Sequence, residues 1–133
     1  MKPPCEVVVK KILPAVRTIV VKDLNERYEL NQTQIAEQLG ITQPAVSQYL
    51  KAARGDRKLK NNLKKTGLLT KLRDLSKEIA ENGGQKTQII GKYCNICELM
   101  KKKKILCKYH IKNEPYLEEE NCTLCLSNHN KKR

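Results

Sequence analysis

Apolar residues recur along much of the chain at spacings of three and four. Leu13, Val16, Val20 and Leu24 form one such stripe, with Arg17, Lys22 and Glu26 off it, and this predicts an amphipathic helix from Pro14 to about Tyr28. Pro3 and Pro4 suit the start of a shorter helix before it, and Pro14 suits the first turn of the second. Val7, Val8 and Val9 are β-branched, which keeps a strand over residues 6–9 open. Further on, Leu68, Leu72, Leu75 and Ile79 repeat at four, three and four. That spacing fits a short coiled-coil seam, a docking face or a helix of the chain's own core. The segment "ENGGQK" at 81–86 ends this helix with paired glycines.

The densest pattern is "LNQTQIAEQLGITQPAVSQYLK", residues 30–51. Asn31 can cap a helix that starts at Gln32 and buries Ile35, Ala36 and Leu39. Gly40 supplies the left-handed conformation of a tight turn, and Ile41 plugs the gap between two helices. Thr42 caps the second helix, Pro44 lies in its first turn, and Val46, Tyr49 and Leu50 form its inner side. Ala36 is small where the two helices cross, and overpacking there would cost about 1–3 kcal/mol.

The order Ala36, Gly40, Val46 is similar to the DNA-binding helix-turn-helix, and the stretch resembles the lambda-repressor-like (xenobiotic-response-element) family. The resemblance implies that residues 43–51 are a recognition helix in the major groove. Thr42, Gln43, Pro44, Ala45, Ser47, Gln48 and Lys51 then face outward. Gln43 and Gln48 can each pair with adenine, Ala45 can meet a thymine methyl, and Thr42 and Ser47 can reach a phosphate or a base. Gln32 and Thr33 are placed to hold a phosphate at a helix N-terminus. Lys51, Arg54, Arg57 and Lys58 add unspecific attraction to phosphates. A helix pair of this kind can also be only a packing unit or a protein-interaction surface. The opening "PPCEVVVKKILPAVRTIVVKDL", joined to this motif, also resembles a group of predicted archaeal transcriptional regulators with a cysteine-rich tail.

Charge sharpens that choice. Lys and Arg number 27 against 14 Asp and Glu, for a formal net charge of +13 over 133 residues. Such a balance suits double-stranded DNA or an anionic membrane surface as partner. The apolar runs Val7–Val9 and Ile19–Val21 are far too short to span a bilayer, and the N-terminus lacks the apolar core of a signal peptide. The chain reads as a soluble, cytoplasmic protein with no membrane partner.

In a reducing compartment six cysteines point to metal or redox chemistry rather than to disulfides, a hyperthermophile's cytosol being the exception. They form Cys94-x2-Cys97, Cys107-x2-His110 and Cys122-x2-Cys125, with His129 beyond and Cys5 at the far end of the chain. Two residues between ligands allow a backbone knuckle, and thiolates with imidazole suit tetrahedral zinc. Cys94, Cys97, Cys107, His110, Cys122 and Cys125 are the candidate ligands. With Cys5 and His129 they would suffice for two closed sites, while four of the cysteines could instead hold an iron–sulfur cluster that senses metal or redox state. The tail shows few aliphatic residues and many lysines, which predicts that it folds around its metal. Lys101–Lys104 and Glu118–Glu120 read as solvated loops.

The predicted fold is therefore mainly α. It comprises a helix-turn-helix domain at 1–58, an amphipathic linker or dimerisation helix at 59–84, and a small metal-binding module at 85–133. The function expected is a sequence-specific DNA-binding regulator acting as a homodimer, because one recognition helix reads only a few base pairs. The alternative is a DNA-tethered adaptor whose zinc module recruits a protein partner. Thiol–disulfide enzymology is disfavoured, since no thioredoxin-like alternation of strands and helices surrounds the CxxC pairs and no nucleophile–base arrangement or phosphate loop is present.

Overall fold

The computed structural model describes residues 3–52, 61, 63–81 and 85–125. Helix α1 (Pro4–Val7) passes through a π-helical turn (Val8–Ile12) into α2 (Leu13–Glu26) without a break. The strand left open at 6–9 is thus a helix, and the two N-terminal helices are one rod. Pro14 accounts for the wide turn. It has no N–H to donate, and its ring would clash with the carbonyl four residues back. The N–H of Leu13 instead reaches back five residues to the carbonyl of Val8. The longer step also re-phases the apolar stripe: Val7, Ile12, Val16 and Val20 are buried, while Val9 is turned to solvent.

Helices α3 (Gln32–Leu39) and α4 (Gln43–Ala52) follow. Next come α5 (Leu68–Glu81), α6 (Lys86–Lys102), α7 (Ile105–Asn113) and the single turn α8 (Tyr116–Glu119). Helix α2 is the hub, touching α3, α4 and α5; α6 packs on α5, and α7 packs on α6 and back against α1 and the π-helical turn. No strand occurs among the described residues.

Leu68, Leu72, Leu75 and Ile79 are all buried in the chain's own core. Of the readings open for that stripe, the intramolecular one holds, and no free seam remains there for a second copy. Each of these side chains contributes about 1.5–3 kcal/mol by leaving water. Ser76 on the same helix is fully buried, and its hydroxyl donates to the carbonyl of Leu72 at 3.0 Å and lies 3.3 Å from a carboxylate oxygen of Asp23. The Asp23 contact ties α5 to α2 with a polar link inside an apolar interface.

The tail differs from expectation. Its apolar residues are few, but Ile89, Ile96, Met100, Ile105 and Leu106 are buried in the same cluster as Val20, Val46 and Leu75. One core therefore runs through all three segments marked out in the sequence, and the tail helices bury apolar surface directly. Two of the three expected knuckles are helical instead: Cys94 and Cys97 lie within α6, and Cys107 and His110 within α7. Ile89, Ile96 and Met100 recur at seven and four, and this helical stripe, held by the core, carries the helix straight through Cys94 and Cys97.

Candidate functional site

The first half of the site is the turn between α3 and α4. Asn31 accepts from the backbone N–H of Gln34 at 2.8 Å, while the Gln34 side chain accepts from the N–H of Asn31 at 2.9 Å. This is a reciprocal capping box, which satisfies two donors at the start of α3. At the other end Gly40 has φ +66°, and the N–H of Ile41 reaches the carbonyl of Ala36 at 3.0 Å while that of Gly40 reaches Glu37 at 3.4 Å. These bonds form a Schellman motif, which ends α3 within one residue. Thr42 then caps α4, its hydroxyl accepting from the N–H of Ala45 at 3.2 Å, and Pro44 sits in the first turn. Ile35, Ala36 and Val46 are buried between the helices, with Ile41, Tyr49 and Leu50 packed around them.

That packing leaves a polar face outward. Thr33, Thr42, Gln43, Pro44, Gln48 and Lys51 are exposed, and Gln32, Ala45 and Ser47 are half-buried. Arg54, Arg57 and Lys58 lie outside the described residues. The side-chain amide of Gln43 donates to the side-chain carbonyl of Gln32, so the two helix N-termini are linked across the turn. One amide hydrogen is used in this bond. The second hydrogen and the carbonyl oxygen of Gln43 remain for the donor and acceptor pair that adenine presents in the major groove. The Asn31-x-x-Gln34 box was legible as a motif, whereas the Gln32–Gln43 link joins residues eleven apart and has no local signal.

The second half is the cysteine layer. All six cysteines are free thiols; Cys5 and Cys94 are exposed and the others half-buried. A cavity of about 20 Å³ is lined by Cys107, His110, Cys122 and Cys125 together with Ile111 and Leu117. It has room for roughly one water molecule or ion. Burial pushes the Cys125 thiol above its ordinary range, with Cys107, Cys122 and Cys97 adding to the effect and Lys101 opposing it. Burial likewise raises Cys97, again against Lys101. Cys94 and Cys97 do not line this cavity but border a groove against Val8, Ile12 and Val16. Among the described residues, no three His, Cys, Asp or Glu side chains stand close enough together to hold a metal ion. The lining nonetheless holds three sulfurs and one imidazole, donor types that tetrahedral zinc takes. His129 lies outside the described residues, and Cys5 does not line the cavity.

A third feature was not anticipated. Tyr93 of α6 is half-buried and borders a groove with Arg17 of α2; burial raises its pKa, Arg17 opposes that effect and Tyr49 of α4 adds to it. Tyr93 and Tyr49 of α4 both pack against the common core.

Among the described residues no helix is long and apolar enough to cross a membrane. Residues 16–55 match a family model described as bacterial regulatory protein, arsR family. No match was found among curated proteins or among solved structures. The matched segment takes in α2 from Val16 onward, α3 and α4. It names a different helix-turn-helix family from the lambda-repressor-like one, and the two share the capped helix pair itself. The chain carries the helix-turn-helix of a DNA-binding transcriptional regulator, similar over residues 16–55 to the arsR family.

Proposed function

We propose that the chain regulates transcription by binding duplex DNA sequence-specifically as a homodimer, with α4 in the major groove and a metal ion in the cysteine layer. The observation that carries the reading is the exposed edge of α4: Gln43, Gln48 and Lys51 point outward from a helix whose other side is locked by Val46, and Gln32 and Thr33 flank it from α3. Gln43 and Gln48 read bases, Thr33 and Lys51 meet phosphates, and Ala45 offers a methyl to thymine. The finer lambda-repressor-like assignment rests on the spacing of Ala36, Gly40 and Val46. Dimerisation uses a surface other than the Leu68–Ile79 stripe, which is buried.

Cys107, His110, Cys122 and Cys125 are the residues that would hold zinc, with Cys94 and Cys97 as a further pair. Zinc supplies a cross-link between α7 and the segment that follows α8. An iron–sulfur cluster is the second reading, supported by the three cysteines, Cys107, Cys122 and Cys125, that line one cavity, with Cys97 also raising the Cys125 thiol.

Selection of duplexes from a random library by the full chain tests the DNA reading. Enrichment of an inverted repeat with half-sites about one helical turn apart is the expected result. Binding that stays indifferent to sequence would overturn it. Elemental analysis of protein purified without oxygen tests the metal reading, with zinc or iron expected and neither as the contrary result.

A further inference from the structure

Beside the helix-turn-helix lies a second cavity, of about 300 Å³, bordered by Leu13 and Arg17 of α2, by Gln38, Leu39 and Gly40 at the end of α3, and by Lys86, Ile89, Ile90 and Tyr93 of α6. Its volume is at the lower end of the range for small-molecule sites. Ile90 at its rim is 60% exposed, one of the few large apolar side chains left in water among the described residues. The polar groups have one sign: Arg17 and Lys86 are the charged residues of the lining, and no carboxylate among the described residues borders it. Among the described residues no side chain caps the first turn of α6, where Lys86 sits, so backbone N–H groups add to the positive field. A second apolar cavity of about 190 Å³ continues from it, sharing Leu13 and Tyr93 and running on to Ile12, Val16 and Met100.

We propose that this groove is a binding site for an amphipathic organic anion, its carboxylate held by Arg17 and Lys86 and its apolar body lying over Leu13, Ile90 and Tyr93. Charge complementarity and the apolar floor select that class. A neutral apolar molecule leaves the two cations unpaired, and a small inorganic anion leaves Ile90 wet. The site also borders the two parts that aim α4. Gly40 is the turn residue, and Tyr93 packs against the same core as Tyr49 of α4. A ligand seated between Gly40 and Tyr93 bears on the turn that aims α4, so occupancy and the pose of α4 are coupled, reciprocally, as linkage requires. Only this coupling rests on the reading of α4 as a DNA-binding helix; the binding itself does not.

Isothermal titration of the full chain, without DNA, with phenylbutyrate and with its uncharged analogue phenylbutanol is the test. Phenylbutyrate is expected to bind at least tenfold tighter. Both Arg17→Met and Lys86→Met, checked for folding by circular dichroism, should erase that preference while leaving phenylbutanol binding in place. Ile90→Asp, at an exposed position, should abolish both. Equal affinity for acid and alcohol, or folded Arg17→Met and Lys86→Met proteins that keep the preference, would overturn the proposal. So would sedimentation showing that phenylbutyrate acts only by splitting a dimer, because a second copy would then be the occupant of the groove. Since no DNA is present, a failed operator selection leaves this result standing, and the reverse also holds.

Discussion

Replacing Gly40 and Gly91 separately by Ala should move stability in opposite directions. At neither position would a new Cβ meet a heavy atom within 4 Å, so sterics drop out of the comparison. What differs is the backbone. Gly40 has φ +66°, where an L-residue is strained by about 1–2 kcal/mol, offset in part by the lower entropy of an unfolded chain that carries Ala. The net cost is about 1 kcal/mol. Gly91 lies inside α6, where Gly is about 0.5–1 kcal/mol worse than Ala, so Gly91→Ala stabilises by that amount. The two variants should therefore stand about 2 kcal/mol apart, or roughly 6–8 °C in Tm for a chain of this size. Urea titration with an unchanged slope measures the gap. Gly40→Asn should recover part of the loss, because Asn tolerates the left-handed region. Stabilisation by both Ala variants would refute the left-handed turn between α3 and α4. Destabilisation by both would refute the open surroundings of Gly91.

Asn31→Ala removes half of the capping box and should cost about 1 kcal/mol in the same titration. Leu75→Ala empties a fully buried site and should cost about 2–5 kcal/mol; amide exchange should accelerate in α2 and α6 together, because one cluster joins them. In metal-free protein at pH 8, iodoacetamide should label exposed Cys5 and Cys94 before Cys97 and Cys125, as read by peptide mass spectrometry. A raised thiol pKa means less thiolate at a given pH, so Cys97 and Cys125 react slowly near neutrality and the gap narrows as pH rises through the thiol range.

The helix-turn-helix was legible because each of its devices is local. Asn31, Gly40, Thr42 and Pro44 act on backbone within four residues of themselves, and apolar spacing placed Ile35, Ala36 and Val46 inside. The π-helical turn was not legible as such, since Pro14 could equally have opened a new helix; only the burial of Val7 together with Ile12 shows how the rod is re-phased. The stripe from Leu68 to Ile79 carried its periodicity plainly but not its partner, because periodicity does not distinguish a neighbouring helix from a second chain. The cysteine spacing was read through the chemistry of ligands, which take the same two-residue gap whether the backbone is a knuckle or a helix. Ile89, Ile96 and Met100 decided for the helix. The cavity at Arg17, Gly40 and Tyr93 draws on three elements that meet only in the fold, and no window of sequence contains it.

The most direct test of the account measures fluorescence anisotropy of the full chain, with and without Gln43→Ala, on the duplex it selects and on that duplex with single base pairs exchanged. Gln43→Ala should cost about 1–3 kcal/mol on the selected duplex and nothing further on one duplex whose exchanged pair is an adenine–thymine pair. A loss of equal size on every duplex, or no loss on any, would contradict a base-reading role for α4.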